Sequence, residues 1–257
     1  MILQNKKNII FLHGWGLNKT IWNISLINTI SKYFNVYLID IPGYGKNYNF
    51  CFDSLEKTAE YIWNNVPKKK SIWLGWSLGG LIASFIAIKY ENEIEGLITV
   101  CSSPCFIEKK DWPGIKPIIL NNFKQALEKN FIKTIENFLT LQSYKSNTYK
   151  KDFNQLKSVV FNHPIPPLIT LNYGLEILKN SDIRNQLFSI RKPFLRIYGY
   201  LDSLVPRTIA KILDDKIPNS YSIVIKKSAH VPFISNQKEF IKILINFSKK
   251  LDYIDRF

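Results

Sequence analysis

A serine flanked by two glycines, Gly75-Trp76-Ser77-Leu78-Gly79, stands where the apolar run Ser71-Ile72-Trp73-Leu74 passes into the apolar, Ala-rich helical stretch Leu81-Ile82-Ala83-Ser84-Phe85-Ile86-Ala87. Gly-x-Ser-x-Gly between a strand and a helix is the setting of a nucleophile elbow, a tight turn that pushes the serine hydroxyl outward. The same pattern also recurs as an ordinary turn in α/β units, so the serine needs partners elsewhere in the chain. Ser77 is the candidate nucleophile. Gly75 and Gly79 would let the strand and helix backbones pass close together, and the N–H of Leu78, at the start of the helix, is placed to meet a developing oxyanion.

A serine hydroxyl is a weak nucleophile until a general base takes its proton. The chain has three histidines, His13, His163 and His230. His230 lies in Lys227-Ser228-Ala229-His230-Val231-Pro232-Phe233, a loop following the last strand-like run, where a doubly wound sheet gathers its site residues. It is the candidate base. His163 precedes the Pro-rich hinge Pro164-Ile165-Pro166-Pro167 and reads as a surface or hinge residue. His13 directly precedes a glycine turn and is assigned to shaping that loop. The base in turn needs an acid that fixes its tautomer without taking the proton, and Asp202, immediately after the strand-like Phe194-Leu195-Arg196-Ile197-Tyr198, is the candidate. Asp214 and Asp215 fall on a helical segment and read as a solvated face. A second oxyanion donor is expected from Gly14-Trp15-Gly16 after the first strand, with the Trp15 N–H beside that of Leu78; the Trp15 ring would either wall the acyl site or pack in the core. Ser77, Asp202 and His230 occur in the chain order of α/β-hydrolases.

The elements needed to position these residues are legible in the pattern. Asn8–Leu12, Val36–Asp40, Ile72–Leu74 and Gly96–Val100 are apolar strand runs alternating with helical periodicity, including a helix capped by Ser54 and running to about Asn65. That alternation predicts a mostly parallel sheet flanked by helices. At Pro104 the rhythm stops. Phe123, Leu127, Phe131, Ile135, Phe138, Leu139 and Gln142 recur at helical steps, a second helix carries Phe153, Leu156 and Val160, and a third runs from Leu168 to Lys179. Residues 106–178 are thus expected to form a helical cap inserted into a core of residues 1–105 and 179–257. Strands return with Phe194–Tyr198 and Tyr221–Ile225, and a helix over about 236–250 closes the core.

Composition narrows the classes. Of 257 residues, 46% are hydrophobic and 14% aromatic, which excludes a disordered chain. No run reaches the ~18 apolar residues of a membrane span, and Met1–Lys7 lacks a signal-peptide apolar region, so a cytoplasmic protein is expected. Cys51, Cys101 and Cys105 show neither disulfide nor metal-site spacing; they read as small fillers, and no metal or organic cofactor is expected. The formal net charge of +15 would suit an acidic partner, yet the lysines are spread along the chain as A/T-rich codon drift would spread them, without the aromatic-interleaved stripe of a nucleic-acid binder.

The chain resembles the pimeloyl-[acyl-carrier protein] methyl ester carboxylesterases of biotin synthesis. The resemblance rests on Leu12-His13-Gly14-Trp15-Gly16-Leu17-Asn18, Trp73 through Leu81, Ser102-Ser103-Pro104-Cys105-Phe106, Trp112-Pro113-Gly114-Ile115-Lys116-Pro117, Gly174-Leu175-Glu176-Ile177-Leu178-Lys179, Tyr198 through Asp202, and Pro232-Phe233-Ile234-Ser235. It implies the α/β-hydrolase fold, removal of a methyl group from the distal carboxyl of a carrier-bound pimeloyl chain, and a monomeric enzyme. It further implies substrate contacts from Trp15, Ser77, Leu78, Phe138, Leu139, Thr140, Leu141, Gln142 and His230. The family's basic carrier-gripping positions fall on Lys133, Asn137, Lys150 and Asn154, so two charges are lost, while Lys151 lies beside a retained one; Lys133, Lys150 and Lys151 are the docking candidates. A carboxylesterase of broad short-acyl specificity and a non-catalytic ligand-binding relative are the competing readings.

Overall fold

The computed structural model describes residues 6–254; of the N-terminal stretch read above for a leader, Met1–Asn5 lie outside the described residues. Among the described residues six strands form one sheet: β1 (Lys7–Leu12), β2 (Phe34–Ile39), β3 (Ser71–Trp76), β4 (Gly96–Val100), β5 (Phe194–Gly199) and β6 (Ser220–Ile225). Their spatial order is β2-β1-β3-β4-β5-β6, and every neighbouring pair is parallel. β3, β4 and β5 are buried along their whole length, as expected of parallel strands covered on both faces.

Helices α1 (Ile24–Ile30), α2 (Leu55–Asn64) and α3 (Leu78–Lys89) connect the first four strands. α2 starts at Ser54, whose side chain accepts the Lys57 N–H, a standard N-cap. α3 is apolar nearly all round because it packs on β3 and β4 while α2 and the short helix Arg184–Leu187 cover its outer side. After β4 the chain leaves the sheet for α4 (Pro117–Lys129), α5 (Phe131–Ser143), α6 (Tyr149–Phe161) and α7 (Leu168–Asn180), then returns through α8 (Arg184–Leu187) to β5. The outgoing and returning segments are tied together: Cys105 bridges Asp182, and the Ile183 N–H donates to the Pro104 carbonyl at 3.0 Å; within the outgoing segment the Trp112 indole donates to the Cys105 carbonyl at 2.8 Å. α9 (Thr208–Asp214), α10 (Pro232–Ser235) and α11 (Gln237–Ile254) complete the fold. Phe240, Leu244, Phe247 and Leu251 form the buried stripe of α11 at three- and four-residue steps.

Two sequence expectations are corrected. The periodic run from Phe123 to Gln142 is two helices, because Asn130 leaves helical geometry (φ −150°, ψ 85°) and its side chain caps α5 by accepting the Lys133 N–H. Asp214 is not simply solvated. It pairs with Arg196 on β5, a fully buried arginine that would otherwise hold an uncompensated charge, and also accepts from the Ser222 hydroxyl. Of the three free cysteines, Cys101 and Cys105 are buried, whereas Cys51 is exposed.

Candidate active site

The sheet order reverses between β1 and β3, since β2 lies outside β1 and β4 outside β3. A crevice opens beyond the carboxyl ends of strands at such a switch point, and the two loops that meet there are His13–Leu17 and the turn at Ser77. Leu12 pairs with Gly75 across the two strands, so these loops emerge side by side.

Ser77 adopts φ 54°, ψ −119°, a strained conformation for a residue with a side chain. Its surroundings hold it there: its N–H donates to the Val100 carbonyl at 3.0 Å, and its carbonyl accepts the Ser102 hydroxyl at 2.7 Å. The flanking glycines are required sterically. A Cβ on Gly75 would lie 2.1 Å from the Gly79 carbonyl oxygen, and one on Gly79 would lie 2.4 Å from that of His13. Leu78 is the first residue of α3, so the helix itself offers its N–H no acceptor.

His230 and Asp202 come from the loops after β6 and β5. The His230 Nδ1 and an Asp202 carboxylate oxygen are 2.8 Å apart, with both side chains essentially inaccessible to solvent. The other carboxylate oxygen accepts the N–H groups of Leu204 and Val205 at 2.8 and 3.0 Å. An anion so supplied with donors is well placed to hold the imidazole with its proton on Nδ1, leaving Nε2 as acceptor. That Nε2 is buried and has no hydrogen-bond partner among the described residues. The ring lies 5.5 Å, centroid to centroid, from the ring of Trp76, whose indole N–H donates to the His230 carbonyl at 2.8 Å. The residue preceding Ser77 therefore braces the histidine.

Trp15 is buried. Its indole donates to the Leu171 carbonyl on α7 at 2.9 Å, and its ring meets Phe123 of α4 and Phe138 of α5 edge-on at 5.5 and 5.3 Å. These contacts join the β1 loop to three of the inserted helices. The five residues 138–142 fare differently because they lie on one helix and point around it. Phe138 reaches Trp15, Leu139 is buried in the core, the Thr140 hydroxyl returns to the Glu136 carbonyl, and Leu141 is 45% exposed. Gln142 is buried, and its main-chain carbonyl accepts the His230 N–H at 3.0 Å. Lys133, Lys150 and Lys151 are exposed on α5 and α6.

His13 is fully buried and linked to the loop backbone: the Ile41 N–H donates to its Nε2 at 3.0 Å, and its Nδ1 lies 2.8 Å from the Gly14 carbonyl. Burial pushes its pKa down to about 4, so the ring is a neutral strut between the β1 and β2 loops. His163 is exposed, with its Nε2 3.1 Å from the Thr20 hydroxyl. Sequence reasoning missed one neighbour of the site and, for Gln142, the contact that its main chain makes. Cys101, directly after β4, has φ 45° and a buried thiol beside Asp202 and His230. The Gln142 carbonyl was invisible because a main-chain acceptor has no side-chain signature.

A buried serine at a strained strand-helix turn, with an imidazole and carboxylate supplied from later strand ends, is equipped for acyl transfer through a covalent serine ester. The family model of the alpha/beta hydrolase fold matches residues 7–237, and the chain belongs to this family. Its relatives narrow the likeness. The chain is 45% identical over 251 residues to the pimeloyl-[acyl-carrier protein] methyl ester esterase of Proteus mirabilis, covering 98% of this chain and 96% of that one. It is 45% identical over 248 residues to the protein of the same name from Citrobacter koseri, covering 96% of each. Among solved structures, an esterase from Exiguobacterium antarcticum superposes with a TM-score of 0.83 over 95% of this chain and 92% of that one, at 19% identity, a likeness of fold.

Proposed function

We propose that this chain is a serine carboxylesterase that hydrolyses the methyl ester of pimeloyl-[acyl-carrier protein] methyl ester, releasing methanol and leaving pimeloyl-carrier protein for biotin synthesis. The observation that carries this reading is the 45% identity to an esterase of that name over 98% of the chain, which takes in the inserted helices as well as the sheet. In the proposed mechanism Ser77 Oγ attacks the ester carbonyl while His230 Nε2 accepts its proton. Asp202 stabilises the imidazolium, and the N–H groups of Trp15 and Leu78 hold the oxyanion. His230 then protonates the departing methanol, leaving an acyl-Ser77 ester. Water, deprotonated by His230, attacks that ester, and the acid is released as Ser77 regains its proton.

Phe138 and the Trp15 ring would wall the acyl chain, with Leu139, Thr140, Leu141 and Gln142 contributing the rest of the contacting helix. Acyl carrier protein is the proposed partner, met at Lys133, Lys150 and Lys151, and residues 106–178 are proposed to act as a cap on a core formed by the rest. No helix among the described residues is long and apolar enough to cross a membrane; a cytoplasmic monomer is the state we propose. The test is incubation of purified protein with the carrier-bound methyl ester beside a Ser77→Ala control, following methanol and the mass of the carrier. Loss of one methyl group in the wild type alone is the expected result. Turnover of small aryl esters with none of the carrier substrate would favour a general short-acyl esterase, and release of free carrier would show attack at the thioester.

A further inference from the structure

The Cys101 thiol is not used in the proposed mechanism, yet it sits behind the acid-base pair. Its Sγ, a carboxylate oxygen of Asp202 and a ring nitrogen of His230 all lie within 4.8 Å of one another. Sulfur, imidazole nitrogen and carboxylate oxygen are the donor types that zinc-class cations take, at ligand distances of about 2.0–2.3 Å. The three come from different loops, after β4, β5 and β6, so the convergence is tertiary and has no sequence spacing to reveal it. The thiol has a long contact, 3.8 Å, with the Ala229 carbonyl and also faces the Gly199 backbone and the Asp202 carboxylate, and a small inward movement would bring all three donors onto one ion.

We propose that Cys101, Asp202 and His230 form an inhibitory site for a thiophilic divalent cation of the zinc class. Binding releases the thiol proton to solvent and forms a metal–thiolate bond. The ring nitrogen facing Asp202 is Nδ1, so the cation takes the Nδ1 lone pair, and the proton normally held there moves to Nε2. The carboxylate exchanges its hydrogen bond from the ring for a bond to the metal. An Nε2 that carries a proton cannot accept another from Ser77, so the cation switches off the base by imposing the wrong tautomer while leaving the serine untouched. Because Cys101 and His230 are buried, the cation must wait for a local opening of these loops, and inhibition should set in slowly.

The inhibitory consequence rests on the proposed role of His230; the binding site does not. Both are tested with Cd²⁺ in metal-free buffer on a Cys51→Ser protein, which removes the exposed thiol. Ultraviolet cadmium–thiolate absorption reports binding, and aryl ester hydrolysis, relative to each variant's own metal-free rate, reports inhibition. The expected result is one equivalent of bound Cd²⁺, slow loss of hydrolysis, and recovery with a chelator. Adding Cys101→Ala should abolish the absorption band and weaken inhibition by at least the roughly 10–100-fold that loss of an outer-shell partner costs in metal affinity; Cys101→Ser, closer in shape, should likewise lose the band. A band or inhibition that persists in both variants, or no band in the parent, overturns the proposal. A Cys101-dependent band without inhibition retains binding and overturns the tautomer mechanism. Failure of the metal-free parent to hydrolyse any ester counts instead against the function proposed above.

Discussion

Asp202 receives two main-chain N–H groups on one oxygen and the imidazole on the other, so its geometry does not depend on carrying a charge alone. Asp202→Asn should fold with much the same loop, yet present an amide N–H or a weaker acceptor to Nδ1 and favour the wrong histidine tautomer. A fall in kcat of roughly 10³–10⁴-fold with little change in KM is expected, measured on an aryl ester. His13 makes a different prediction. Its pKa is about 4 in the folded chain against about 6.5 in the unfolded one, so the unfolded state binds the proton first as pH falls. Its contribution is fully present above pH ~6.5 and is lost progressively down to pH ~4, at about 1.4 kcal/mol per unit and about 3 kcal/mol in all. Urea unfolding across this range should show that slope, and His13→Gln should flatten it. The nucleophile, acid and base candidates were legible because chemistry restricts their types and the sheet restricts their places. Cys101 was not, since a buried cysteine after a strand looks like any small core residue until the β5 and β6 loops fold over it.

At the scale of elements, one tight constraint is the approach of β3, α3 and the β1 loop. Gly79→Ala would drive a Cβ to within 2.4 Å of the His13 carbonyl oxygen, and no flexible side chain is available to yield. A loss of several kcal/mol or failure to accumulate folded protein is expected, read by thermal unfolding. By contrast, Asn130→Ala removes one cap between α4 and α5 and should cost about 1 kcal/mol. The alternation of strands and helices announced the sheet plainly. The break at Asn130 was hidden because apolar residues continue at helical spacing on both sides, and only the cap geometry shows that the chain turns there.

For the whole molecule, a formal charge of +15 acts over distances that depend on ionic strength. If exposed lysines on α5 and α6 draw an acidic carrier, kcat/KM for the carrier-bound ester should fall about tenfold between low salt and ~0.5 M salt, while that for a neutral aryl ester holds steady. Lys150→Glu with Lys151→Glu should lower the first value and leave the second. Sequence composition could raise this possibility but not place it, because charge counted along a chain is blind to which face it occupies. The hydrogen bond from the His230 N–H to the Gln142 carbonyl bears on how such a molecule can be re-engineered. Exchanging the inserted helices for those of another hydrolase, to obtain a new acyl preference, would also exchange an acceptor that holds the histidine loop. A chimera would have to carry a carbonyl back to the same point, so specificity and rate cannot be grafted as independent modules.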